Sequence, residues 1–152
     1  MRCHLWKGYD RVAIYLTATL RQRLIQADDH RCAYGHTSQA NSGSPMVVDH
    51  LPPLSKGGVT AFDNLCFACY RCNLFKGSRV TAIDPLSGEM APLFDARRDR
   101  WDEHFTWDEA GVRILGLTAV GRATAAALNL NNDIILDARR NWMRLGWRPG
   151  ME

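Results

Sequence analysis

The period of the apolar positions changes several times along the chain, and each change marks an element. Val12-Ala-Ile-Tyr-Leu16 is a short apolar run that predicts a strand. From Thr19 to Ala27, Leu20, Leu24 and Ala27 fall at helical spacing, with Thr17 or Thr19 available to cap the first turn. Asn41-Ser-Gly-Ser-Pro45 is loop by composition. Met46-Val-Val48 then predicts a strand, Lys56-Gly-Gly58 a turn, and Phe62 to Phe67 a second strand. A helix starting near Cys69 or Arg71 carries Asn73 through Lys76. Strand, turn, strand and helix over residues 46–78 make a ββα unit.

Pro85-Leu-Ser-Gly88 breaks the chain, and a different texture follows. Phe105 to Leu115 reads as a hairpin turning near Glu109-Ala-Gly111. Gly121 to Leu130 is Ala-rich and helical. Asp133 to Leu145 is helical too, with Ile135, Ala138, Trp142 and Leu145 on one face and Asp133 in the first turn, where the helix dipole favours it. The elements predict an α+β fold: a core over residues 1–84 with an N-terminal strand and helix, and a hairpin-plus-helices extension over 85–152 packed on it. There is no internal repeat. At 152 residues the chain is long enough to bury a core.

No apolar run approaches the roughly 20 residues that span a bilayer. The opening MRCHLWKGYDR lacks the apolar stretch of a signal peptide, so a cytoplasmic protein is expected. Five cysteines, three of them at Cys66, Cys69 and Cys72, point to metal rather than to disulfides in a reducing compartment. Cys3 and Cys66 read as small buried apolar residues. Residues 1–84 carry 10 Lys/Arg against 6 Asp/Glu, whereas the rest carry 9 against 10. The basic half is the half with the clustered cysteines, a bias that permits nucleic-acid binding without arguing for it.

The chemistry gathers in the ββα unit. Asp49-His50 closes a Val-rich strand, and Asn73 follows Cys69-x-x-Cys72. The end of the first strand and the start of the helix lie side by side in such a unit, so Asp49, His50 and Asn73 line one cleft. A carboxylate and an amide oxygen are hard ligands, few in number, and suit Mg²⁺ or Mn²⁺ that completes its shell from water and substrate phosphate. His50 is placed to take a proton from an attacking water.

The stretch VDHLPPLSKGGVTAFDNLCFACYRCNLFKGSR resembles the HNH endonuclease family, in the subgroup whose paired cysteines hold a structural zinc. The resemblance covers about residues 30–79. DPLSGEMAPLFDARRDRWDEHFTW and GLTAVGRATAAALNLNN further resemble a bacterial branch of that family. It implies a ββα-metal fold and DNA cleavage, with His50 as general base and Asp49 and Asn73 as ligands of the catalytic ion. It also implies that Asn64 braces the loop and orients the histidine. Lys76 and Arg79, with Lys56 and Arg71, are then candidate contacts to DNA phosphates.

The same resemblance pairs Cys32 and residue 35 with Cys69 and Cys72 around Zn²⁺, yet residue 35 is glycine. Three outcomes are open. His36 completes a Cys₃His site, three sulfurs hold zinc with water or Cys66, or no zinc binds and the thiols pack. The clusters Arg97-Arg98-x-Arg100 and Arg139-Arg140…Arg144 read as surface charge before phosphate contacts, and Trp101, Trp107, Trp142 and Trp147 as core. The rival functions are a non-catalytic zinc-ribbon nucleic-acid-binding module and an RNase of the same chemistry.

Overall fold

The computed structural model describes residues 16–147. The strand expected at Val12–Leu16 lies outside them up to residue 15, as does Cys3; Leu16 itself is not in a strand. Helix α1 runs Ala18–Ala27, capped by the Thr17 hydroxyl, which accepts from Leu20 N at 3.1 Å. Its Leu24 is fully buried. A short helix α2, Gln39–Ser42, leads into strand β1, Val47–His50.

Strand β1 pairs antiparallel with β2, Leu65–Ala68, in a register that sets Asp49 opposite Cys66 and His50 opposite Leu65. The second strand is shorter than the sequence pattern suggests, because Phe62–Asn64 form a 3-10 turn. Helix α3, Tyr70–Lys76, follows directly, with the Cys69 sulfur accepting from Cys72 N. Alternation places Asp49 on the buried side of β1 and His50 on the other. The ββα unit thus forms as its pattern predicts.

The break at Pro85–Gly88 is instead the tip of a hairpin. Strand β3, Thr81–Ile83, pairs with β4, Met90–Pro92, while Gly88 takes a left-handed φ of 75°. A division at 84/85 therefore passes through a paired hairpin. Asp84 at its tip is bound by both ends of the Arg122 guanidinium, at 2.8 and 2.7 Å. Beyond lie α4, Trp101–His104, and the hairpin β5, Phe105–Trp107, with β6, Ile114–Gly116. Helices α5, Ala119–Ala127, and α6, Asp133–Arg144, complete the α+β fold. No helix among the described residues is long and apolar enough to cross a membrane.

One apolar core joins the two parts: Cys32, Tyr34, Met46 and Phe67 pack in the same cluster as Leu93, Phe94, Phe105 and Leu130. Polar ties reinforce it. The Arg97 guanidinium binds both oxygens of Asp28 at 2.8 and 2.6 Å, and its Nε donates to Leu65 O at 2.7 Å. Trp101 Nε1 donates to Tyr34 O at 3.0 Å. Arg97 is therefore an interior strut, whereas Arg98 and Arg100 sit outside beside Asp95, Asp102 and Glu103. On α6 the buried residues are Leu136 and Arg139, and Leu145 is exposed rather than on the packed face. Arg139 is thus not a surface phosphate contact.

Candidate active site and cysteine cluster

Asp49 is held from two directions. Tyr34 Oη donates to its Oδ2 at 2.7 Å, and Lys76 Nζ lies 3.2 Å from Oδ1 and 3.1 Å from Oδ2. The same ammonium donates to His50 O at 2.7 Å. Lys76 is 1% exposed, so this residue, expected on the DNA-facing surface, is an interior partner of the Asp49 carboxylate. The correction has a simple cause. The Lys76 side chain reaches inward from the last turn of α3, where Asp49 and a strand carbonyl satisfy its charge. Burial raises the Asp49 pKa, and the Lys76 charge and Tyr34 hydrogen bond oppose that shift.

His50 faces the other side of β1 and is half-buried. Its Nε2 lies 3.1 Å from Thr60 Oγ1, and burial holds its pKa below the ordinary value, more strongly than the neighbouring Asp49 raises it. With Nε2–H donating to the hydroxyl, Nδ1 is left as the acceptor. The loop that delivers Thr60 is built by Asn64, whose Nδ2 donates to Val59 O at 2.8 Å and Pro52 O at 3.1 Å. The Asn64 carbonyl accepts from Leu51 N at 2.9 Å. The Asn64 side chain thus braces the loop and acts on His50 through Thr60, not by direct contact. Gly58 is required there: a Cβ would stand 1.9 Å from Pro52 O.

Asn73 stands on α3 one turn before Lys76, on the same side of the helix, and is half-buried. An ionised carboxylate has about four lone-pair positions. Lys76 and Tyr34 use three of those on Asp49, which leaves one on Oδ1. By type, that position and an amide oxygen such as that of Asn73 are donors for a hard divalent ion with few protein ligands. Of the other basic candidates, Lys56 is exposed on the turn before Gly57. Arg71 instead donates to Asn132 Oδ1 at 3.1 Å, and Arg79 closes the end of α3 through the carbonyls of Phe75 and Lys76 and binds Ala127 O at 2.9 Å.

The second constellation is Cys32, Cys69 and Cys72, whose sulfurs all lie within 4.8 Å of one another. Gly35 N donates to Cys32 Sγ and Cys72 N to Cys69 Sγ, both at 3.5 Å. Burial pushes Cys32 up to about 12, whereas hydrogen bonds from Cys32 and then Cys72 draw Cys69 down to about 3. Three sulfurs this close, two buried and one half-buried, make a donor set that a soft cation completes. The set fits a zinc-binding variant of the knuckle. Cys66 does not join it; its thiol donates to Tyr34 Oη at 3.6 Å.

Nor does His36. Its ring stacks on Trp101 at 4.2 Å, and it is absent from the sulfur group among the described residues. His36 adopts a left-handed φ of 54°, and burial lowers its pKa to about 4. The expected Cys₃His set is therefore corrected to three sulfurs, because His36 continues the turn away from them onto an aromatic face.

Two residues near these sites have interior roles that the sequence reading does not assign. Tyr34, inside the Cys32–Gly35 turn, looks like filler, yet it links the cysteine loop to Asp49. Arg139 is fully buried, donates to Val112 O at 3.0 Å, and lies over the Trp107 ring at 5.1 Å. An arginine on the apolar side of an amphipathic helix, three residues after Leu136, is the one hint the sequence holds.

Residues 31–79 match the family model described as HNH endonuclease. Comparison with curated proteins and with solved structures gives no match.

Proposed function

We propose that this chain, which carries an HNH endonuclease domain over residues 31–79, hydrolyses phosphodiester bonds of DNA with a divalent ion on Asp49 and Asn73. The observation that carries the reading is the division of labour on β1. Asp49 is turned inward and fixed by Lys76 and Tyr34, while its neighbour His50 is turned outward with Nε2 engaged by Thr60. The ion, Mg²⁺ or Mn²⁺, neutralises charge on the phosphate and leaving oxygen when bound.

His50 is neutral at physiological pH because burial holds its pKa below the usual histidine range. Its Nδ1 accepts a proton from water as the water oxygen bonds to phosphorus and the bond to the leaving oxygen breaks. The hydrogen bond between Nε2 and Thr60 Oγ1 holds the ring in place. Lys76 holds strand and helix together at the reacting end through Asp49 and His50 O. Lys56, exposed on the turn of the same loop, is the basic side chain assigned to the nucleic-acid backbone, a reading its exposure supports. Cys32, Cys69 and Cys72 would hold Zn²⁺, which would fix the loop that carries Tyr34 in a structural role.

The test is cleavage of supercoiled DNA and of an RNA of matched sequence, each with Mg²⁺ or Mn²⁺. Metal-dependent cutting of DNA is expected. Cutting of RNA alone makes the enzyme a ribonuclease, and binding of either without cutting under all metals returns the non-catalytic module.

A further inference from the structure

The position where a fourth cysteine would stand is open. At Gly35 a Cβ would meet Cys72 Sγ at 3.6 Å, Leu130 Cδ2 at 3.8 Å and Arg139 Nη2 at 3.9 Å, all ordinary contacts. A side chain fits there and none is present. The space belongs to a cavity of about 30 Å³ lined by Gly35, Cys69, Cys72, Asn132 and Arg139 among others. That volume is enough for a water or an ion of a few atoms. The cavity shares Thr37, Cys69, Arg71 and Ile135 with a larger groove of about 260 Å³. The groove is a route in from solvent.

Arg139 makes the opening chemically specific. It is 1% exposed, and its Nε has no partner among the described residues. A buried guanidinium that lines the cavity, reaches the Gly35 position with Nη2 and keeps an unused Nε donor is suited to an anionic neighbour. Among the described residues no fourth thiolate or histidine is fixed beside the three sulfurs, since residue 35 has no side chain and His36 stacks on Trp101.

We propose that zinc on Cys32, Cys69 and Cys72 keeps its fourth position for a small exogenous ligand, a monodentate anion exchanging with water, admitted at Gly35 and recognised by Arg139. This rests on the zinc reading of the three cysteines. Structural zinc sites are closed by four protein ligands, whereas a site with three keeps an exchangeable position. The knuckle of this chain is therefore an anion-responsive metal centre placed one turn from Tyr34, the residue that holds Asp49.

The experiment uses the full chain loaded with Co²⁺ under reducing conditions and titrated with azide, read by electronic absorption. Sulfur-to-cobalt bands report this site alone, because the Asp49–Asn73 set has no sulfur. In the wild type, azide is expected to shift the cobalt bands saturably. In Gly35→Cys the charge-transfer absorbance should rise by about a third, in proportion to sulfur count, and azide should have no effect. Arg139→Gln should weaken azide binding by about tenfold. A wild type that binds Co²⁺ through sulfur but ignores azide overturns the open position and leaves the zinc reading standing. A wild type that binds no cobalt through sulfur, while Gly35→Cys does, overturns the zinc reading and the proposal with it. Azide affinity unchanged in Arg139→Gln overturns the role given to that arginine.

Discussion

Replacing Lys76 by methionine isolates the interaction on which the site geometry depends. The ammonium and the Asp49 carboxylate are 2% and 5% accessible as side chains, with the nitrogen 3.1 Å from the nearer oxygen. Methionine fills much of the same volume, so little cavity is created. What is left is a buried carboxylate with one donor, Tyr34 Oη at 2.7 Å, and a His50 carbonyl that has lost its bond. Breaking a buried pair from one side is destabilising by about 3–5 kcal/mol, because the surviving charge is stranded. That is a large part of the about 5–15 kcal/mol that keeps a domain folded. Urea unfolding followed by circular dichroism reads the change as a lower midpoint at constant slope. Asp49→Asn in the Lys76→Met background should recover most of the loss, since an amide at 49 needs no counter-charge.

The pH dependence carries a sign as well. Burial already raises the Asp49 pKa, and removing Lys76 removes the charge that opposes the shift. In Lys76→Met the folded form therefore holds its proton to higher pH than the unfolded chain. The deficit is greatest at neutral pH and shrinks as pH falls through the raised folded pKa. A loss below about 1 kcal/mol, of the size seen for exposed pairs, would refute burial of this pair. So would a deficit independent of pH.

Other outcomes follow from the same contacts. Cleavage should show its acid limb below the ordinary histidine value of about 6.5, because His50 titrates lower and must be neutral to act; an acid limb above that value contradicts its burial. Between pH 6.5 and 4 the unfolded chain protonates His36 before the folded one, whose pKa is about 4, so acid should destabilise by up to about 3 kcal/mol. His36→Asn, which tolerates the left-handed backbone, should flatten that slope in chemical denaturation. Arg97→Met should be destabilising by about 3–5 kcal/mol in the same assay, since it strands buried Asp28, whereas Arg100→Met, on an exposed pair, should leave the midpoint in place.

The parts of this protein that could be read from its sequence are those set by local rules. Thr17 as cap, the apolar run into Asp49-His50, Cys69 at the start of α3 and the hairpin after Phe105 each follow from spacing or capping chemistry within a few residues. The misreadings share a different character. Lys76, Arg97 and Arg139 look like surface charge because their partners are 27, 69 and 27 residues away, and only the tertiary fold brings those partners within reach. Pro85 to Gly88 reads as a break because a tight turn and a chain boundary use the same residues; the pairing of Ala82 with Ala91 decides between them. His36 has the right chemistry for a ligand at one residue's offset, but the backbone turn at φ 54° sends its ring to Trp101. Tyr34 carries no signal, because its role exists only where Asp49 is buried beside it.

The central claim is that His50 accepts the proton of the attacking water. Its most direct test is single-turnover cleavage of DNA by wild type and His50→Ala at saturating metal, with DNA binding measured beside it. General-base catalysis predicts a rate lower by about 10²–10⁴ in the variant, with binding unchanged. A variant that binds DNA and cuts it at the wild-type rate contradicts the account.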